Sequence, residues 1–211
     1  MTWSLNEIEA LSRKAARGAG YSWGLAEEAG RAVRWLEARG LPGADALVNQ
    51  LHTIDGQDVR MLAPDTDNWT APGATTCPIL TGTMLADGLA GSGADPITLP
   101  DLSYPLLLLP FLCWLAETEG WAVTAEFAGI GVALNPDGTL VTTAKVPSET
   151  AALVTLRFNE TVSGVPASEG LRSTCSTETV AALNSFAHRT YAPATEESRL
   201  AGAGAGLTDN D

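Results

Sequence analysis

The chain has 211 residues, 45% of them hydrophobic and only 18% charged, with a formal net charge of −13 and two lysines, Lys14 and Lys145. That length suits one domain of generous size, residues 1–211, with aliphatic mass enough for a core, and it excludes a disordered chain. The acidity repels phosphate backbones and argues against nucleic acid and anionic membrane as partners, although it is equally an ordinary solubility device.

The opening MTWSLNEIEA has neither a basic stretch nor an apolar run, so no signal peptide is expected there. Ser4-Leu-Asn-Glu7 is a capping box, and Leu5, Ile8, Leu11 and Ala15 follow at helical spacing until Gly18. A second helix is expected from about Ser22 to Arg39, with Leu25, Ala29, Ala32, Val33 and Leu36 on one face and an ion pair from Glu27 to Arg31. Gly40 and Pro42 end it, and a third helix covers Ala44 to about His52. Residues 55–100 hold no period for long; only short helical turns near Pro78–Leu89 are expected. A core helix follows from about Tyr104 to Thr118, with Pro105 in its first turn. Its apolar run, Leu106–Ala116, is broken by Pro110 and falls well short of the ~20 residues a membrane span requires.

At Gly120 the period changes from 3.6 to 2. Trp121–Leu134 and Leu140–Lys145 flank the turn sequence Asn135-Pro-Asp-Gly138, and Ala151–Asn159 is a third strand. The three read as an antiparallel meander, with Gly129 and Gly131 bending the first strand or letting another segment lie close. A last helix spans about Thr177–Tyr191, and residues 192–211 form a tail. The fold class is α+β, with helices packed on one face of a small sheet.

Two segments, AARGAGYSWGLAEEAGRA (Ala15–Ala32) and TYAPATEESRLAGAGAGLTDND (Thr190–Asp211), resemble an uncharacterised bacterial family of about this length, known only as a domain of unknown function. The resemblance implies no activity, cofactor or catalytic residue. It does imply that the tail belongs to the protein.

Three cysteines, Cys77, Cys113 and Cys175, are too few and too irregular for a disulfide framework or a zinc site, so the cytoplasm is the expected location. The Asn68-Trp-Thr and Asn159-Glu-Thr sequons are then fortuitous. Gly18, Gly20 and Gly24 follow a helix, not a strand, and Gly88–Gly93 carries no lysine, so neither is a cofactor loop, and no cofactor is expected. Asp65, Asp67 and the tail's Asp209 and Asp211 lack calcium-loop spacing and read as turn residues; no metal is expected.

The nucleophile candidate is Cys175, which precedes a helix and stands three positions from Arg172. A helix start lowers a thiol's pKa, and Ser176 and Thr177 add hydroxyls that suit an anion as well as an ordinary N-cap. Tyr21 and Trp23, beside the Gly18 turn, either line a pocket or seal the core. In the tail, Ala201–Gly206 permits close backbone contact and Leu207 supplies an anchor for Thr208, Asp209 and Asp211; a packed tail is expected. Two functions fit. One is a site for a small molecule, an anionic metabolite among them, where the tail meets these two helix starts. The other is a non-catalytic accessory or assembly protein whose tail locks a homo-oligomer or docks a partner.

Overall fold

The computed structural model describes residues 2–73, 75–89, 95–147 and 153–191. After a two-residue strand β1 (Trp3–Ser4), Ser4 opens α1 (Leu5–Gly18): its Oγ accepts from the Glu7 N–H at 3.2 Å, and its own N–H donates to the Glu7 carboxylate at 2.9 Å. Ser22 caps α2 (Trp23–Ala38) in the same manner, accepting from Leu25 N–H. The α3 helix (Gly43–Ile54) has no hydroxyl at its start; the carboxylate of Glu37, reaching across from α2, accepts the Ala44 N–H at 2.9 Å instead. Small residues bring these helices close. A side chain at Gly30 would press on the Glu9 carbonyl of α1, and one at Gly18 would strike the Phe186 carbonyl of the last helix.

Residues 55–100 hold more structure than their sequence suggests. A 3-10 turn at Val59–Leu62, helix α4 (Pro78–Met84) and a π-turn at Leu85–Leu89 are joined by strand β2 (Ile97–Pro100), which was not expected. The core helix starts as a 3-10 turn, Pro105–Leu108, and continues as α5 (Leu109–Glu119), closed by Gly120 at φ 77°. Leu106–Leu109, Leu112 and Cys113 are fully buried within it.

Trp121–Leu134 is a hairpin rather than one bent strand. The strands β3 (Val123–Phe127) and β4 (Ile130–Leu134) pair Phe127 with Ile130 across Ala128 and Gly129, both at positive φ (51° and 73°). That is the two-residue turn matching strand twist, here made with alanine where asparagine is usual. The Asn135–Gly138 turn leads, as its sequence predicts, into β5 (Leu140–Thr142). The meander, however, does not continue to β6 (Leu153–Phe158), which returns to the far side of β3 and pairs with β2 at its other edge. The sheet order is β2-β6-β3-β4-β5-β7, all antiparallel, with β7 (Val165–Pro166) on β5. Strands β6-β3-β4-β5 are thus a Greek key. Val123, Ala125, Val132 and Leu134 lie on the buried face that β3 and β4 turn to α5, Leu156 and Phe158 of β6 share that face, and Glu126 and Arg157 pair on the outer face at 3.0 Å.

The strand β8 (Arg172–Ser173) pairs with β1 and leads into α6 (Thr177–His188), which Ser176 caps and which lies along α1. Antiparallel sheet and helices together give the expected α+β class. No helix among the described residues is long and apolar enough to cross a membrane.

Candidate functional site

The end of α2 is where the helices, the sheet and the segment before β8 meet. Arg39 is the joint. Its side chain is 10% exposed and its guanidinium lies 3.8 Å from the Trp35 ring centroid. The same fork donates to the carbonyls of Trp35 (3.3 Å) and Gly138 (3.1 Å) and meets Glu169 at 2.5 Å. Gly170 N–H binds the Ala38 carbonyl, so the incoming segment also caps α2.

About two helical turns back, Arg31 lies 4.7 Å over Trp114 of α5 and pairs with Glu28 at 3.0 Å, not with Glu27 as expected; the i, i+3 partner offers the closer geometry. Arg34 pairs with Glu9 of α1 at 3.1 Å. Arg31, Arg34, Trp35, Arg39 and Trp114 therefore line one open groove of about 610 Å³, with Leu171, 90% exposed, at its rim. Stacked guanidinium and indole faces, with fork edges now turned to the carboxylates of Glu28, Glu9 and Glu169, are suited to planar, anionic groups. The sequence does carry a signal for this: arginines at 31, 34 and 39 share a helix face with Trp35. Read alone, that face is the wet side of α2, because Trp114 arrives from a distant helix.

Cys175 lies on the other side of the same helix end, in a hollow of about 220 Å³ shared with Glu37, Asp45, Thr174 and Ser176. Two carboxylates stand where an anion cradle was expected. The thiol is held above its ordinary value, by burial first and then by the charges of Glu37 and Asp45, against the pull of the Ser173 hydroxyl. Burial likewise raises Glu37, although Ala44 N–H and the Ser173 hydroxyl (2.6 Å) both favour its ionised form. Arg172 does not reach Cys175: in β8 Ser173 faces inward and Arg172 outward, where it donates to the Thr2 hydroxyl and carbonyl, both at 3.1 Å. Ser176 Oγ is occupied as the cap of α6, and Thr177 Oγ1 rests on Glu178 at 3.3 Å. Neither histidine is near. His52 packs edge-on to Phe186, and His188 lies in the last turn of α6.

Alkylation of Cys175 by iodoacetamide is therefore expected to be slow at pH 7 and to quicken by about tenfold per pH unit toward pH 9, following the thiolate fraction. Cys175, 8% exposed, should still lead Cys77 and Cys113, at 1% and 0%. The latter sits beside Glu117, and burial pushes its thiol up to about 12. Rapid labelling of Cys175 at pH 7, read by peptide mass spectrometry, would contradict this.

Tyr21 is fully buried, and its hydroxyl meets Cys77 Sγ at 3.0 Å, so it seals the core; Trp23 is 60% exposed under Arg17. The starts of α2 and α6 do not meet. Arg172 lies beside Trp3–Ser4 before α1, whereas Ser22 follows its far end, about 20 Å away at 1.5 Å per residue. Thr208, Asp209 and Asp211 lie outside the described residues. Asp65 accepts the Asp67 N–H in a tight turn, as expected of a turn residue, and no cluster of three metal-ligating side chains occurs among the described residues.

Residues 3–77 match a family described as a protein of unknown function (DUF3726). The matched segment contains the first of the two motifs quoted above and ends at Cys77, the cap of α4. No curated protein matches the chain.

Proposed function

We propose that the protein is a binding module for a small planar anion, held in the groove of Arg31, Arg34, Trp35, Arg39 and Trp114. The observation that carries this reading is the pair of guanidinium-on-indole stacks, 3.8 and 4.7 Å, side by side in one groove of a chain with net charge −13. The volume, about 610 Å³, falls in the range of small-molecule sites. The glutamates now on these arginines are at least partly exposed, and such pairs contribute no more than about 1 kcal/mol, so a ligand carboxylate or phosphate can take their place. Binding is favoured over chemistry because neither cysteine nor histidine lines the groove and both its carboxylates, Glu9 and Glu169, are engaged by arginines. The expected location is the cytoplasm, where three buried, unpaired thiols stay reduced. The second reading, an accessory or assembly protein held by its tail, draws on a different patch, at the far ends of α1 and α6.

The test is a thermal-shift panel of flavin mononucleotide, adenosine monophosphate and benzoate, with citrate as the non-planar control. A planar anion at 100 times its Kd should stabilise by about 2.7 kcal/mol, several degrees in Tm. The shift should vanish in Arg31→Gln/Arg34→Gln. A shift that survives this double substitution, or one that citrate alone produces, would exclude the groove.

A further inference from the structure

We propose that the acidic segment 192–211 docks on a cationic and aromatic patch formed by Lys14, Arg17, Trp23, Arg189 and Tyr191, independently of the groove above. Tyr191 is where the described chain ends, and its ring lies 6.0 Å from Lys14 Nζ. Arg17 covers Trp23 at 5.2 Å and donates to the Tyr21 carbonyl at 2.8 Å. Between Arg17, Trp23 and Arg189 is a hollow of about 340 Å³. Among the described residues Arg189 meets Asp55, but no carboxylate lies within ion-pair distance of Lys14 or Arg17. Two helices end here, and their C-terminal carbonyls attract cations on their own account. That does not explain why two large aromatic rings, Trp23 at 60% and Tyr191 at 54% exposure, stay in water beside them.

The segment that leaves this point has the complementary chemistry. It carries Glu196, Glu197, Asp209 and Asp211 against Arg199 alone, and Leu207 is an apolar side chain able to rest on an indole. Glu196 is five residues beyond Tyr191, a reach of up to about 17 Å, so its carboxylate can return to Arg17 without strain. The Ala-Gly run between the two acidic pairs has no side chain larger than a methyl to hold it off the surface.

Arg199 is the sole tryptic site of the segment, so trypsin reports docking. Release of residues 200–211 should be slower than cleavage of a free peptide of residues 190–211. Lys14→Gln/Arg17→Gln should speed it by about tenfold, in proportion to the open population. Glu196→Gln/Glu197→Gln should do the same; these positions lie outside the helices, so this variant decides the matter even if the first does not fold. Wild-type release at the free-peptide rate, or release unaltered by the tail variant, would overturn the proposal. So would protection that disappears on tenfold dilution, since the segment would then be seated on a second copy.

Discussion

Alanine at position 18 should destabilise the protein by about 3 kcal/mol, the upper end of what overpacking does. Gly18 closes α1 where α6 crosses it. A Cβ there would stand 1.9 Å from the Phe186 carbonyl oxygen and 2.8 Å from its carbon. Both are backbone atoms inside a helix, so no rotamer change relieves the contact. Either α6 moves away from α1, uncovering the face of α1 that it lies along, or α1 unwinds its last turn. The proper comparison is Gly24→Ala in the first turn of α2, where a Cβ meets nothing within 4 Å. That exchange should stabilise by about 0.5–1 kcal/mol through helix propensity and the unfolded chain. Urea melts of the two variants should differ in sign relative to wild type. Equal stability of the Gly18 variant and wild type would mean that the two helices do not touch as described.

Removing the Arg39 side chain should cost about 2–3 kcal/mol, the size expected when a buried network loses a charged hydrogen-bonding partner. The loss is not the ion pair. Glu169 is 64% exposed, and a pair of that kind is worth at most about 1 kcal/mol. What disappears is the cover on Trp35 and the bond to Gly138 O, which fixes the β4–β5 turn to α2. Glu169→Gln should therefore change stability by less than about 1 kcal/mol, and Arg39→Lys should not restore Arg39→Ala, because an ammonium cannot stack flat and donate along two directions. Denaturant titration of the three variants checks the ranking. If Glu169→Gln were as damaging as Arg39→Ala, the joint would be electrostatic.

The parts of this fold that were legible in the sequence are those decided locally. Ser4 and Glu7 stand three residues apart and satisfy each other; Asn135–Gly138 closes its own turn; Pro105 can only begin a helix. Ile97–Pro100 was illegible because four residues carry no period and their one strand partner begins at Leu153. The Ala128–Gly129 turn was missed because alanine at φ 51° is held by the register of β3 on β4, not by its own preference. For the site, the arginine face of α2 could be seen but its second wall could not, since Trp114 lies in a helix read only as core. Arg172 was placed near Cys175 by counting residues, and strand parity turned it the other way.

The pairing of Trp3 with Ser173 bears on how the protein is made. The first strand leaves the ribosome about 170 residues before its partner, and α1 precedes the helix that covers it by nearly as much. At 5–20 residues per second this interval is roughly 10–35 s. Through it, α1, α2 and α3 can coil and touch one another, but the flank of Gly18 has nothing from α6 to lie against. The sheet waits too, because β2 is translated before every strand that could neighbour it. Nascent chains arrested anywhere before residue 173 should therefore remain protease-sensitive from the first helix onward, and a cell short of chaperones should lose this protein during its synthesis rather than after it.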